Sequence, residues 1–489
     1  MLFNSIEFGV FLPVVFLLYW FVFARNLKLQ NLFIVAVSYL FYGWWNVRFL
    51  FLIALTTLVS FVSGRLIAHY QRRDTGNAVR WYKNRAWLIS AGNILFNLGI
   101  LGCFKYYDFF VTSFAEAFRL LGTSLQVHTL DLILPVGISF YTFQALSYTI
   151  DVYKKKTEAT DDIVSFFAYV SFFPQLVAGP IERATRLLPQ FYKERTFSYP
   201  AAVDGLRQIL WGLFKKVVVA DNCAVFVNQI YADYTTKPSF SLVLAAVCFS
   251  VQIYCDFSGY SDMAIGTARL FGFRLMRNFN MPYFSRDIAE FWRRWHISLT
   301  TWFRDYVYIP LGGSRGSRWQ RVRNTLIVFT LSGFWHGANL TFLFWGLFNG
   351  LLFLPLLLEK KNRRYIDIPA EGNVLPSAGE AISIFLTFIL VTTGWIFFRA
   401  ESLAQAFGYL SAIVSFSPVT GSYISLIPKK ICFLVVFLFI CEWFQRDKEH
   451  ALQIDIFPRW GRYMVYYSIV TALFFFTELE DIPFIYFQF

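Results

Sequence analysis

Charged residues are scarce in this chain. They make up 15% of its 489 residues, and 57% of the residues are hydrophobic, whereas a soluble domain carries about 25% charged residues. This deficit excludes a soluble globular protein and indicates a polytopic membrane protein. The net charge of +13 does not indicate a nucleic-acid partner, because Lys and Arg collect in the cytoplasmic loops of membrane proteins.

Cysteine pairs and cofactor motifs are also lacking. The six cysteines form no C-x-x-C pair and lie mostly in apolar segments, which argues against a disulfide framework or a metal site. The sequence has no P-loop, no G-x-G-x-x-G fingerprint and no H-E-x-x-H motif. We therefore expect no bound cofactor and no metal. An internal repeat, a low-complexity tract and a soluble domain are also absent, so residues 1–489 are expected to form one integral membrane domain.

Apolar segments long enough to cross a bilayer, about 17–25 residues as helix, recur along the chain. The first lacks the basic region and cleavage site of a signal peptide, so we expect it to remain as an anchor. Residues 163–177 are too short to span. The predicted crossings are 8–24, 31–47, 49–64, 87–104, 130–151, 208–227, 241–256, 380–398, 431–444 and 463–478.

Clusters of Lys and Arg predict the orientation. They occupy residues 65–85, Lys154–Lys156 and 286–323, and the positive-inside rule places all three in the cytoplasm. Both termini are then extracytoplasmic. Basic residues flank 325–358 on both sides. If both flanks are cytoplasmic, the chain must enter the membrane and return to the cytoplasm within these residues, which as helix would be about 50 Å long. We expect a turn near His336, with one arm short or re-entrant.

His336 stands within this apolar run, in the segment Ser332–Asn339. An ionisable side chain at membrane depth is costly unless it faces a polar cavity or takes part in chemistry. Helical spacing would place Ser332, His336 and Asn339 on one face, and two glycines four residues apart would let another helix approach closely. The alternative is a structural polar stripe between helices. Trp335 and the expected helix break favour a functional site.

A second histidine, His296, lies in the aromatic and basic segment 291–303. If this segment were one helix, Trp295 and His296 would lie on its apolar face, and its arginines would lie outside that face. An amphipathic helix at the cytoplasmic surface explains such a scaffold but not a histidine on the apolar side. We interpret His296 and His336 as a pair of buried imidazoles with distinct roles.

Asp256 and Asp262 lie in another apolar segment and need partners there. Their spacing of six residues does not place both on one helix face, so a paired-carboxylate mechanism has little support. Ser258 and Asp262 do share a face. A structural ion pair or helix cap is the favoured interpretation, and a position of Asp262 beside the substrate is the alternative.

The resemblance to a known family rests on a set of motifs along the chain. They are Leu134–Phe143, Tyr169–Arg183, Gly212–Lys216, the aspartate segment 256–266, the segment 291–299 and Trp335-His336-Gly337. Together they resemble the membrane-bound O-acyltransferase family. The stretch Gly394–Glu401 and the ending Phe484–Phe489 are similar to its bacterial alginate O-acetyltransferase branch. The likeness covers nearly the whole chain and is most specific between residues 130 and 350.

The resemblance implies an all-α polytopic fold in which about 11–12 transmembrane helices, with re-entrant or interfacial helices, form a ring around a central tunnel. It implies that His336 is the catalytic histidine and that His296 is the second family histidine. The site would lie in the bacterial cytoplasmic (inner) membrane and pass an acyl group from a cytoplasmic donor to an extracytoplasmic hydroxyl. The donor would be acetyl-coenzyme A or an acyl carrier protein thioester. An extracytoplasmic SGNH-type acetyltransferase, or another polysaccharide-modifying partner, would complete the transfer.

Imidazole suits this chemistry, since its unperturbed pKa is about 6.5. We expect His336 to act as general base and His296 to orient the donor carbonyl or to hold a second proton. An acyl-cysteine route through Cys255 has less support, because no histidine is adjacent in sequence. Further candidates for the tunnel or substrate site are Ser332, Trp335, Asn339, Trp295 and Asp262.

Four arginines, Arg293, Arg294, Arg315 and Arg318, could hold the phosphates of a donor, although ordinary positive-inside charge explains most of them. Two other functions stay open. A teichoic acid D-alanyltransferase of the same family would share the histidines and the tunnel. A transporter or lipid flippase would also place polar residues at mid-membrane, but internal pseudo-repeats would then be expected.

The orientation can be tested by cysteine labelling in intact cells. In a cysteine-free background, Ser314→Cys should resist an impermeant maleimide and Gln488→Cys should react, because the loop 286–323 is expected inside and the terminus outside. Labelling at position 314, or protection at 488, would invert the predicted topology.

Overall fold

A computed structural model describes residues 1–72, 79–177, 179–415, 428–478 and 482–487. Gln488, Phe489 and residues 73–78 of the basic loop lie outside the described residues. The described residues are helical with no β-strand, which confirms the all-α prediction. The α-helices are α1 Ile6–Leu17, α2 Leu27–Gly43, α3 Arg48–Arg72, α4 Val79–Leu101, α5 Tyr107–Leu120, α6 Ile138–Tyr153, α7 Ile163–Ser171, α8 Phe173–Leu176, α9 Ala184–Phe191, α10 Tyr199–Leu213, α11 Asp221–Ala232, α12 Ser239–Leu270, α13 Ile288–Arg294, α14 Ile297–Phe303, α15 Arg318–His336, α16 Leu340–Leu358, α17 Ala378–Arg399, α18 Leu403–Val414, α19 Lys429–Phe444 and α20 Arg459–Phe476.

Five helical stretches among the described residues are long and apolar enough to cross a membrane. They are α3, the continuous run Asn84–Leu120, α12, α16 and α17. Shorter apolar helices include α2 and α18. These helices identify a multi-pass membrane protein. The arrangement of the helices in a ring around a central tunnel stays a prediction.

Several predicted crossings differ from the observed helices, and two of them have a clear local cause. The segment predicted at 130–151 becomes helical only at Ile138, because Pro135 has no N–H to donate and Gly137 takes a left-handed φ of +73°. A Cβ atom at Gly137 would also lie 2.4 Å from the carbonyl oxygen of Leu176. The segment predicted at 241–256 is part of a longer helix of 32 residues, α12. This helix continues past Asp256 and Asp262 because both aspartates are paired with lysines.

The chain divides into two compact units. The first comprises Met1–Gly205 with Thr267–Met276, and in it α3, α4 and α6 pack together while α2 packs on α7. Helix α7 has only nine residues, which agrees with the prediction that this segment is too short to span. Arg195 holds part of this unit together by donating to Gln30 Oε1 at 2.8 Å and Asn31 Oδ1 at 2.6 Å.

The second unit comprises Leu206–Gly266 with Arg277–Phe489 and contains a helical hairpin, α15 and α16. Ser317 and Gln320 form a capping box that starts α15 inside the basic loop. Helix α15 ends at His336, so the expected turn is confirmed. Both arms have 19 residues, but of the two only α16 is among the helices long and apolar enough to cross a membrane. Helix α15 begins seven residues before the apolar run that starts at Thr325, so its apolar part is short, and a re-entrant arm stays a prediction.

Gly333 lets the two arms of the hairpin approach closely. A Cβ atom there would lie 2.2 Å from the carbonyl oxygen of Phe342 and 3.1 Å from Gly346 Cα. Gly337, the other glycine of the predicted pair, lies beyond the helix end in extended backbone. Close helix packing therefore rests on Gly333 and its partner Gly346.

Substituting Gly333 by Ala should destabilise the protein by about 1–3 kcal/mol through overpacking of the hairpin, despite the better helix propensity of Ala. The readout is the apparent melting temperature of the protein purified in detergent. Gly379→Ala is the matched control, because a Cβ atom on this helical glycine meets nothing within 4 Å. Equal melting temperatures for the two variants would contradict the close packing at Gly333.

Candidate active site

His336 is the last residue of α15, and its position follows from the helix break that succeeds it. Gly337 adopts extended backbone, and Asn339 begins the next helix as the N-cap of α16. The His336 side chain is 5% exposed. Its ring centroid lies 5.3 Å from that of Trp345 and 5.4 Å from that of Phe398. The imidazole is therefore held in an aromatic wall at a helix end.

His296 lies at a second break, between α13 and α14. Its backbone has a φ of +42°, a left-handed conformation that a non-glycine residue rarely adopts. The prediction of one continuous amphipathic helix through this segment is wrong for that reason. The side chain is 1% exposed, and His296 Nδ1 lies 3.0 Å from Asn278 Oδ1.

The two imidazoles lie close together, with ring centroids 6.4 Å apart. Helix α15 extends from Arg318 in the basic loop for 19 residues, or about 28 Å, before it reaches His336. Since His296 contacts that far end, it does not lie beside Arg318 at the basic surface. Both imidazoles are buried, in agreement with their interpretation as a buried pair, and an amphipathic helix at the surface does not describe His296.

A cavity of about 470 Å³ borders both histidines. Along α15 it is lined by Thr325, Val328, Phe329, Ser332 and His336, which recur with helical spacing and cover about 16 Å of helix. Arg363, which follows the end of α16, also lines it. The cavity therefore extends from a basic region near the start of α15 to the paired imidazoles at its end.

The segment 482–487 closes the site from another direction. The ring of Tyr486 lies 5.6 Å from the His336 ring and 6.4 Å from the His296 ring, centroid to centroid. The Ile485 amide donates to Asp256 Oδ2 at 2.7 Å, and Lys216 Nζ donates to the Ile482 carbonyl at 3.2 Å. A buried charge pair thus anchors the segment that carries Tyr486.

The aspartates of α12 form ion pairs, as the sequence interpretation favoured. Asp262 Oδ2 lies 2.6 Å from Lys215 Nζ, and Asp256 Oδ1 lies 2.9 Å from Lys216 Nζ. Lys216 Nζ also lies 2.6 Å from Asp221. Both lysine side chains are buried, and removal from water is tolerable for such charges only when they are paired.

The structure brings some of the predicted site residues together and separates others. Trp335, Trp295 and Ser332 lie with the histidines: the Trp335 ring packs 5.9 Å from that of His296, and Ser332 and Trp295 line the cavity. The predicted shared face of Ser332, His336 and Asn339 is wrong at Asn339, because the helix ends before it. Asn339 caps α16 and donates to the Glu401 carbonyl at 3.0 Å.

Asp262 borders a different, polar cavity that it shares with Lys215, Arg277 and Glu442. Its carboxylate is engaged by Lys215 and by Gln208 Nε2, which donates at 2.9 Å. These contacts separate Asp262 from the cavity that borders the histidines.

Two arginines proposed as donor-binding residues are bound to the protein itself. Arg293 donates to the Asn362 carbonyl at 2.6 Å, although it also lines the cavity. Arg294 pairs with Glu290 at 2.8 Å. Arg304 and Arg363, which the sequence did not single out, line the cavity as well. Arg315 and Arg318 are not among the residues that line it.

Sequence reasoning missed three contributors to this region: Tyr486, Asn278 and Lys215. Lys215 carried a usable signal, because a lysine within an apolar helical segment requires a carboxylate partner, and Asp262 was such a carboxylate. Asn278 and Tyr486 carried no comparable local signal. Their roles depend on contacts with residues distant in sequence.

Comparisons with known proteins bear on this geometry. The model of the membrane-bound O-acyltransferase family matches residues 160–393. The probable alginate O-acetylase AlgI of Pseudomonas aeruginosa is 41% identical over 85% of this chain and 75% of its own length. The chain belongs to the membrane-bound O-acyltransferase family. Peptidoglycan O-acetyltransferase of Helicobacter pylori is 36% identical over 87% of this chain and 82% of its own length.

A more distant relative is the teichoic acid D-alanyltransferase of Bacillus subtilis, 26% identical over 55% of this chain and 70% of its own length. Family membership makes the protein a multi-pass membrane acyltransferase and confirms the resemblance deduced from the motifs. It also disfavours the transporter or flippase alternative. The roles of His336 and His296 stay predictions.

Removal of Lys215 should test the buried ion pair. Lys215→Met leaves the carboxylate of Asp262 without its cation and should cost about 3–5 kcal/mol of stability, measured as a lower melting temperature in detergent. The double variant Lys215→Met/Asp262→Asn should recover part of this loss. The exposed pair Arg65–Asp161, 3.0 Å apart, provides the control, since Arg65→Met should cost about 0–1 kcal/mol. Equal losses for Lys215→Met and Arg65→Met would contradict the buried pairing.

Proposed function

We propose that this membrane O-acyltransferase transfers an acetyl group from a cytoplasmic thioester to an extracytoplasmic hydroxyl at the paired histidines. The observation that carries the proposal is the cavity that extends from basic residues to two buried imidazoles 6.4 Å apart. Such a cavity admits a thioester at one end and supplies a proton acceptor at the other.

His336 is assigned the role of general base. As the acceptor oxygen attacks the thioester carbonyl, its proton moves to the His336 imidazole and a new C–O bond forms. The C–S bond then breaks, and the sulfur leaves as a thiol with a proton returned from the imidazole. General-base catalysis of this kind contributes about 10²–10⁴-fold. His296 is the second participant and either orients the donor carbonyl or holds a second proton.

The donor is proposed to enter at the basic end of the cavity. Arg304 and Arg363 line the cavity, and cationic groups attract the phosphates of coenzyme A or the acidic surface of an acyl carrier protein. The basic residues 286–323 also favour the cytoplasm for this end. No donor-derived cofactor stays bound to the enzyme in this scheme.

The acceptor is proposed to be a hydroxyl of an extracytoplasmic polysaccharide or of a partner protein. The relatives that cover most of this chain are named for the O-acetylation of alginate and of peptidoglycan. We propose the bacterial cytoplasmic membrane as the location, with both termini outside. A separate SGNH-type acetyltransferase would complete the transfer to polymer.

Transfer of D-alanine to teichoic acid is the alternative function. It draws support from the D-alanyltransferases of Bacillus subtilis and Streptococcus thermophilus, which align with 55% and 54% of this chain, against 85% for the alginate O-acetylase. The greater coverage favours acetyl transfer.

We expect His336→Ala to abolish O-acetylation while leaving expression and melting temperature near those of the wild type. The reason is that loss of the base removes a factor of about 10²–10⁴. The measurement is the O-acetyl content of extracellular polysaccharide in cells that carry only the variant, with label transfer from acetyl-coenzyme A or acetyl-acyl carrier protein measured in isolated membranes. His296→Ala should also lower transfer, though less completely.

The matched control is His450→Ala. His450 is also buried, but it borders the cavity of Asp262 and not that of the two histidines. This variant should keep transfer near the wild-type rate per folded molecule. A His336→Ala protein with more than about a tenth of wild-type activity would contradict a base of this strength.

A further inference from the structure

Asn278 is fully buried and collects several hydrogen bonds around His296. Its side-chain oxygen lies 3.0 Å from His296 Nδ1, 3.3 Å from the Ser298 backbone nitrogen and 2.9 Å from Ser298 Oγ. Its Nδ2 donates to Ser261 Oγ at 3.2 Å. The Asn278 carbonyl also accepts from the Ile297 amide at 2.8 Å. One residue thus binds both the His296 side chain and the first turn of α14, which follows it.

These contacts determine which atom of the amide faces the histidine. The backbone N–H of Ser298 can only donate, so the Asn278 atom beside it must be the oxygen and not the NH₂ group. That same oxygen faces His296 Nδ1. An amide oxygen can only accept, so Nδ1 must carry the hydrogen.

We propose that Asn278 is a positioning residue that holds His296 as the Nδ1–H tautomer, which leaves Nε2 as a proton-accepting nitrogen. A neutral imidazole has one N–H donor and one lone-pair acceptor. His296 Nε2 is buried and has no hydrogen-bond partner within the described structure. It belongs to the ring edge opposite Asn278, and His296 lines the cavity whereas Asn278 does not.

This tautomer decides between the two roles left to His296. Orientation of the donor carbonyl needs an N–H donor toward the cavity, and Nε2 in this form offers none. Holding a second proton needs a lone pair, which Nε2 supplies. His296 is therefore the second proton site beside His336, an inference that rests on the proposed function.

The test compares Asn278→Leu, which removes the acceptor, with Asn278→Asp, which keeps an oxygen in its place. In protein labelled with [¹⁵N]histidine, nitrogen shifts distinguish a protonated from an unprotonated ring nitrogen, and His296→Ala identifies the signals among the five histidines. The wild type and Asn278→Asp should show protonated Nδ1. Asn278→Leu should lose this preference.

Kinetics supply the second readout. In Asn278→Leu, kcat for acetyl transfer from acetyl-coenzyme A should fall between about 10-fold and 10⁴-fold, the latter being the effect of a wrong histidine tautomer in a serine protease. The KM for the donor should change little, and Asn278→Asp should restore a large part of kcat. Asn222→Leu is the matched control, because Asn222 is also buried, at 2% exposed, and donates a hydrogen bond to the Phe476 carbonyl. It measures the effect of replacing any buried, hydrogen-bonded asparagine by leucine.

The outcomes separate this inference from the proposed function. Protonated Nε2 in the wild type would overturn it, even if Asn278→Leu fails to fold. It would also be overturned if His296→Ala were inactive while Asn278→Leu kept both protonated Nδ1 and wild-type kcat. Full activity of His296→Ala, with protonated Nδ1 in the wild type, would instead remove His296 from the proposed function and leave Asn278 as the residue that sets the tautomer.

Discussion

Pairing of buried polar groups inside the chain is the constraint on which the second unit depends. Water is scarce in an apolar interior, so a charged group there must find its partner within the protein. Lys215 therefore pairs with Asp262 of α12, and Lys216 pairs with Asp256 of the same helix. The second of these pairs also binds the backbone of the segment 482–487 and so brings Tyr486 to both histidines.

The same constraint explains where the helices break. A helix end leaves backbone groups without partners, and in this unit nearby side chains satisfy them. Asn339 caps α16 directly after the break at His336. Asn278 binds the Ser298 amide at the break that carries His296. Each imidazole is thus presented at a helix terminus where an asparagine side chain accepts from a backbone amide of the following helix.

The hairpin of α15 and α16 then sets the distance over which an acyl donor must reach. One face of α15 lines the cavity for about 16 Å, from Thr325 to His336. Basic residues lie near one end of the cavity and the imidazoles lie at the other, which in the proposed function separates donor binding from proton transfer. In the proposed function, this separation lets an acetyl group cross the membrane while the polymer stays outside.

The sequence by itself determined the class of fold and the family, and it singled out two histidines whose rings lie 6.4 Å apart in the structure. Composition and the recurrence of apolar segments are properties of the chain that do not depend on tertiary contacts. The hairpin turn at His336 was also predicted from sequence, because basic residues flank 325–358 on both sides and the positive-inside rule assigns both flanks to the same side of the membrane.

Tertiary structure decided the positions of the residues around the histidines. Local periodicity predicted continuous helices through His296 and Asn339, but the left-handed backbone of His296 and the end of α15 at His336 interrupt both. At the first break Asn278 accepts from the Ser298 amide, 20 residues away, and at the second Asn339 caps the following helix. The need of Lys215 and Asp262 for buried partners could be inferred from sequence, but that they pair with each other, and that Tyr486 approaches the histidines, depends on contacts between distant residues.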